Sequence, residues 1–265
     1  MSIKLIATDM DGTFLDHNKM FDYEFLSQFY KMQDKGIHFV LASGNQYLRI
    51  YHQFIPMSEN IYFVADNGAY IAHGPKVLAY HTLTPLQVQH TLEALKRYKN
   101  LVIMMSGLNG THLLKKDKQY EQVAKNYYRN LQYYDSFDEV KDQIMKITLF
   151  DPENDIHLFE DEIRSLLDEG VTATTAGNEW LDVQPVGVNK GNGIKLLQEK
   201  LGISPDECVA FGDAMNDFSM FKSVTYSYAM KNADDRIKAI AREVLPYTNE
   251  ENGVIKKIRE ILNKE

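Results

Sequence analysis

The chain has 265 residues, 44% hydrophobic and 25% charged, with 37 acidic against 29 basic side chains and a formal net charge of −8. That length allows one large or two modest domains, and the charge disfavours a nonspecific polyanion partner such as nucleic acid. No apolar stretch is long enough to span a bilayer, and the single cysteine, Cys208, rules out an internal disulfide and a cysteine-based zinc site.

Ile3-Lys4-Leu5-Ile6-Ala7-Thr8 has the length and residue types of a buried strand, and Asp9-Met10-Asp11-Gly12-Thr13 ends it. The run reads as a core strand and not as a secretory leader, which predicts a cytoplasmic protein. Alternate residues of an extended backbone face the same side. Asp9 and Asp11 therefore converge at the carboxyl end of the strand, where open α/β sheets keep their ligands. Two carboxylates so close need a cation or a proton between them. An Asp-Gly turn after a strand is also common without any function, so these five residues decide nothing alone.

Phe21, Phe25, Leu26, Phe29 and Met32 recur at helical spacing up to Gly36. Residues 37–42 form a second apolar strand, ending in Ser43-Gly44-Asn45 before a helix through Tyr47, Ile50, Tyr51 and Phe54. A third run, 61–65, closes on Asp66-Asn67-Gly68 and leads into hairpin strands at 69–72 and 77–81. Strands alternating with helices predict a parallel sheet with right-handed crossovers.

From about Thr84 the pattern changes to helices at 86–95, 123–131 and 156–167 and strands at 101–105, 146–150, 171–175 and 181–184. This predicts an inserted α+β domain over 84–187, its helices on one face of a small sheet. Past Gly187 a helix at 191–201 precedes the strand Cys208-Val209-Ala210-Phe211, which Gly212-Asp213 ends as Asp9 ends the first. Residues 218–262 add further helices around a strand at 224–229. The expected architecture is α/β, a doubly wound parallel-sheet core of residues 1–83 and 188–265 carrying the insert.

Four pieces then lie at, or just beyond, the carboxyl ends of separate core strands: Asp9 with Asp11, Ser43-Gly44, Lys190, and Asp213 with Asn216 and Asp217. Asp213 adds a third carboxylate for a magnesium ion touched by Asp9, since magnesium prefers a few carboxylates plus waters and phosphate oxygens. Lys190 supplies positive charge, Ser43 a hydroxyl, Gly44 a close backbone amide and Asn216 an amide donor to the oxygens of a phosphoryl group. A carboxylate can attack phosphorus, and a neighbouring acid such as Asp11 can protonate the departing oxygen and then deprotonate water. Singly, each piece is an ordinary turn, exposed lysine or helix cap. Jointly they describe a phosphate and metal site.

In these residues the chain resembles the haloacid dehalogenase-like hydrolases, in particular their Cof-like phosphatase branch. The family's Asp-x-Asp-Gly-Thr is Asp9 to Thr13, its Ser-Gly is Ser43-Gly44, its Lys-Gly is Lys190-Gly191, and its Gly-Asp-x-x-Asn-Asp is Gly212 to Asp217. Smaller matches at Asp66-Asn67-Gly68-Ala69, Met230-Lys231-Asn232-Ala233 and Asn252-Gly253-Val254 extend the resemblance over nearly the whole chain. It implies Asp9 as nucleophile and Asp11 as acid and base, with Asp9, the Asp11 backbone carbonyl and Asp213 holding magnesium. It implies phosphate contacts from the Met10 amide, Ser43, Gly44, Lys190 and Asn216, with Asp217 orienting Lys190 or a metal-bound water. The insert becomes a cap that closes over the phosphate and selects the rest of a small phosphorylated metabolite, usually a sugar phosphate. Asn45 stands where many relatives carry arginine and Lys231 where many carry glycine, which predicts an altered substrate preference.

The resulting expectation is a magnesium-dependent phosphatase working through an aspartyl-phosphate on Asp9, with no nucleic-acid or membrane partner. A phosphomutase or other phosphotransferase shares the first half-reaction. A phosphorylatable switch is a rival of another class, and Asp11 argues against it because a switch benefits from slow hydrolysis. Packing roles are favoured for Tyr127, Tyr128, Tyr133 and Tyr134, and Trp180 with Asn178 and Glu179 lies just before the return to the core, where a cap loop could face substrate or Trp180 could simply anchor that loop. His112 and His157 lack metal-ligand spacing. The sequence names neither the natural substrate nor the oligomeric state.

Overall fold

Leu5, Ile6, Ala7 and Thr8 are all fully buried, as a strand covered on both faces requires. They form β1 (Leu5–Thr8) of the computed structural model, which describes residues 2–153, 155–175 and 179–264. There follow α1 (Phe25–Asp34), β2 (His38–Ala42), α2 (Tyr47–Gln53), β3 (Tyr62–Ala65), β4 (Tyr70–His73) and β5 (Lys76–Tyr80). The inserted segment contributes α3 (Pro85–Leu95), β6 (Val102–Gly107), β7 (Thr111–Leu114), α4 (Glu121–Tyr127), β8 (Leu131–Tyr134), β9 (Ile144–Phe150), α5 (Glu160–Ser165), β10 (Val171–Thr175) and β11 (Trp180–Pro185). The chain ends with α6 (Lys190–Leu201), β12 (Cys208–Gly212), α7 (Phe218–Lys222), β13 (Tyr226–Ala229), α8 (Asp235–Lys238), β14 (Glu243–Val244) and α9 (Gly253–Leu262).

The chain divides into two compact units, one of Met1–Gly44, Phe54–Leu78 and Asn189–Glu265, the other of Asn45–Gln53 and Ala79–Val188. The first is built on a sheet of order β14-β13-β12-β1-β2-β3-β4-β5. β1 pairs in parallel with β12 on one side and β2 on the other, and β4 runs antiparallel to β3. From β1 the chain winds outward through β2 and β3, then returns to β12 and winds the other way. The carboxyl ends of β1 and β12 therefore flank the switch point, where an α/β sheet opens a crevice.

The second unit has the order β10-β11-β9-β6-β7-β8, with β7 and β8 its parallel pair among antiparallel neighbours. Thr84 starts α3 through a reciprocal cap, accepting from the Gln87 amide while the Gln87 side chain accepts from the Thr84 amide. Helices cover both faces of this sheet, not one as the sequence predicts. Ile103 and Met105 pack with Val88, Leu92 and Ile163 of α3 and α5, whereas Val102 and Met104 pack with Ala124 and Tyr128 at α4. The cause is strand alternation, since β6 is apolar toward both sides. The predicted helix at 123–131 stops at Tyr127, where Tyr128 turns extended and Asn130 takes φ +53°, so that 131–134 becomes β8. The predicted helix at 156–167 is a 3₁₀ turn, Ile156–Leu158, followed by the short α5. Among the described residues no helix is long and apolar enough to cross a membrane.

Candidate active site

The strand ladder runs one residue past β1, with the Asp9 amide donating to Phe211 O at 2.9 Å, and then breaks. Gly12 takes φ +80°, and the amides of Thr13, Phe14 and Leu15 all turn back to Met10 O. A Cβ on Gly12 would collide with the Asp213 carboxylate, so glycine lets the turn approach that acid closely. Thr13 Oγ1 donates to Asp213 Oδ1 at 2.6 Å, and Asn232 Nδ2 pins Gly12 O at 2.8 Å.

Lys190 is fully buried at the first position of α6, a helix capped by Asn189. Its Nζ donates to Asp9 Oδ1 at 2.5 Å and to Asp217 Oδ1 at 2.7 Å. The second Asp217 oxygen accepts from the amides of Asp213 at 2.9 Å and Ala214 at 3.0 Å. Lys190 comes this close because Gly191 lies against the Ser219 carbonyl, where a side chain would not fit. One carboxylate oxygen from each of Asp9, Asp213 and Asp217 falls in a group whose members all lie within 4.8 Å of one another.

Three carboxylates face one ammonium, and the titration behaviour reports the imbalance. Burial raises the Asp9 carboxyl well above the usual range, with repulsion from Asp217 and Asp213 adding to it and Lys190 opposing it. Burial and Asp217 push Asp213 up to about 6 against the Thr13 hydrogen bond and Lys190. Burial lowers the Lys190 ammonium, but Asp217 and Asp9 outweigh it, and the net shift is upward. An all-oxygen donor set with surplus negative charge fits a hard divalent cation, which would remove the repulsion that protonation otherwise relieves.

A family profile described as haloacid dehalogenase-like hydrolase matches residues 6–258. The chain belongs to that family. The hydrolase is 35% identical over 267 residues to the Escherichia coli K12 protein named 5-amino-6-(5-phospho-D-ribitylamino)uracil phosphatase YbjI, covering 100% of this chain and 98% of the relative. It is 26% identical over 244 residues to the HMP-PP phosphatase of Escherichia fergusonii, covering 89% and 87% of the two chains. The crystal structure of SMU.1108c from Streptococcus mutans UA159 superposes with a TM-score of 0.92 at 29% identity, covering 99% of this chain and 100% of that one. With family and relatives together, the hydrolase is a phosphatase.

Of the residues singled out in the sequence, Asp9, Lys190, Asp213 and Asp217 meet directly in the hydrolase. Ser43 and Gly44 meet Asn216 through Asn67, whose amide donates to Ser43 O at 3.0 Å and whose Oδ1 accepts from Asn216 Nδ2 at 3.4 Å. Met10 is fully buried beneath the turn. Asp11 carries its carboxylate to Lys19 Nζ at 2.7 Å. Asn45 is buried and Lys231 exposed.

Thr13, Lys19, Asn67 and Asn232 are the polar neighbours that sequence reasoning did not assign to the site. The signal was present for Asn67, an Asn-Gly step directly after a core strand, but it reads as a plain turn. His112 pairs with Asp142 at 2.9 Å, and Trp180 packs its ring on Phe150 and Tyr127. Asn178 and the side chain of His157 lie outside the described residues.

Proposed function

We propose that the phosphatase carries the phosphoryl group on Asp9, uses magnesium, and acts on a small phosphorylated metabolite of sugar or polyol character. The observation that carries this reading is the convergence of three carboxylates, Asp9 and Asp217 buried on Lys190 and Asp213 partly buried beside them. Asp9, Asp213 and the Asp11 backbone carbonyl would hold the magnesium ion, which supplies charge neutralisation for phosphoryl oxygens.

In the first half-reaction Asp9 attacks phosphorus, the bond from phosphorus to the ester oxygen breaks, and Asp11 gives that oxygen its proton. In the second, Asp11 takes a proton from water as the water attacks phosphorus, phosphate leaves, and Asp9 returns as carboxylate. Lys190 favours the carboxylate form of Asp9 against the burial that raises it, and Asp217 holds Lys190 through its Oδ1 while two backbone amides fix Oδ2. Lys190, Ser43, Gly44, Asn216 and the Met10 amide orient the phosphoryl oxygens, where positioning supplies most of the catalysis.

Residues 1–83 and 188–265 form the catalytic core in this reading, and 84–187 the cap that selects the organic part of the ester. The name of the 35%-identical relative supports a phosphorylated ribityl compound as the first ester to try. Phosphate release from a panel of sugar, polyol and nucleotide esters, with Asp9→Asn as the blank, tests the proposal. Wild type should turn over repeatedly and lose activity on chelation of magnesium, and Asp9→Asn should fall by at least ~10³-fold. Retained turnover in Asp9→Asn would refute the covalent route. An isomerised sugar phosphate without free phosphate would point to group transfer.

A further inference from the structure

Asp66, Asn67 and Gly68 take φ values of +47°, +55° and +100° in succession. Glycine adopts such backbone freely and Asn or Asp at modest cost, so a run of three persists only where the surroundings hold it. Here they hold it at three places. The Asn67 amide donates to Ser43 O at 3.0 Å, a Cβ on Gly44 would stand 3.1 Å from Asn67 Oδ1, and Gly68 abuts the carbonyl of Asn189, the residue before Lys190. The side chain then reaches Asn216, accepting from its Nδ2 at 3.4 Å. Ser43, Gly44, Lys190 and Asn216 are four of the groups assigned above to the phosphoryl oxygens, and the 66–68 loop touches Ser43, Gly44, Asn216 and the residue before Lys190.

We infer that Asn67 is a positioning residue that spaces the Ser43-Gly44 turn and sets which way the Asn216 amide faces the phosphoryl group; the inference rests on the phosphatase reading proposed above. With Asn216 Nδ2 turned to Asn67, Asn216 Oδ1 is buried and accepts no hydrogen bond among the described residues. An amide oxygen turned to a phosphoryl group would repel it. Half a turn of the Asn216 amide exchanges the two atoms and presents the donor Nδ2 instead. Asn67 permits the exchange because its own amide has both a donor and an acceptor, so it can give to Asn216 Oδ1 as readily as it accepts from Nδ2. A carboxylate at position 67 only accepts. It would hold Asn216 Nδ2 to itself and withhold that donor from the phosphoryl group.

Asn67→Asp keeps the size of the side chain and tolerance of left-handed backbone, and Asn67→Gly keeps the backbone and removes the amide. Calorimetric binding of inorganic phosphate to the full chain with magnesium present reads the inference without turnover. Asn67→Gly should weaken phosphate by several-fold, and Asn67→Asp by about tenfold or more, as expected for loss of a charge-assisted hydrogen bond. Thermal midpoints should stay within a few degrees of wild type, which a merely structural role would not allow alongside the binding loss. KM should rise more than kcat falls. In an Asn216→Ala background the extra penalty of Asp over Gly should shrink, because the amide it misorients is gone. Phosphate affinity within twofold of wild type in both variants would overturn the inference, as would an undiminished Asp penalty without Asn216. A wild type that binds phosphate but hydrolyses no ester would refute the proposed function instead, and the binding series would still decide this inference.

Discussion

Lys190 and Lys146 are both buried, one in each unit, and their surroundings differ in charge balance. Lys146 on β9 meets Asp182 on β11 at 3.2 Å. The other Asp182 oxygen accepts from Thr148 Oγ1 at 2.7 Å, and Thr148 accepts from the Tyr128 hydroxyl at 2.9 Å. That network sets the Lys146 ammonium against the Asp182 carboxylate and gives each carboxylate oxygen a donor. Lys190 meets Asp9 and Asp217 while Asp213 stands beside them, which leaves a surplus of negative charge. Burial of ions is common to both places; a convergence of three carboxylates belongs, among the described residues, to the one at Lys190. An unbalanced buried cluster destabilises the fold, so its persistence points to a ligand that completes it.

Removing the lysine from each network breaks the comparison most sharply. Lys190→Met strands three carboxylates, and activity should drop by ~10³-fold or more with a stability loss of about 3–5 kcal/mol in urea unfolding. Turnover within tenfold of wild type would sink the role given to Lys190. Lys146→Met strands one carboxylate and should cost about 3 kcal/mol, whereas Lys146→Met with Asp182→Leu should return to within ~1–2 kcal/mol of wild type. If the double variant is as unstable as the single one, Lys146 and Asp182 do not stabilise the fold as a pair.

The contrast also shows what a sequence reveals. Asp9, Ser43 and Asp213 are legible because each follows an apolar run that a strand period explains, and the run ends in residues that cannot continue it. β7 and β8 are hidden because THLL and LQYY are four residues each, and β8 is half-buried throughout, with no alternation to find. Thr13 and Asn67 are hidden for another reason. Each earns its place through a partner far along the chain, Asp213 for Thr13 and Asn216 for Asn67, and no local period encodes such a meeting.

The smallest expected effect sharpens the same comparison through pH. In the metal-free protein Asp213 titrates at about 6, above the ordinary carboxylate value near ~4. Between those values the folded chain holds a proton that the unfolded chain has released. Stability therefore falls as pH rises through the window and levels off above it, with a slope of at most ~1.4 kcal/mol per pH unit from this group. Asp213→Asn has no such proton to lose, so the difference in stability between variant and wild type should grow from about pH 4 to about pH 6. Magnesium should offset the fall of the wild-type curve as pH rises toward 6 by taking the place of the proton, and its affinity should weaken as pH falls below that point. Unfolding of wild type and Asp213→Asn along one pH series, each with and without magnesium, measures all of this. Parallel curves for the two proteins would mean that Asp213 does not carry the surplus charge.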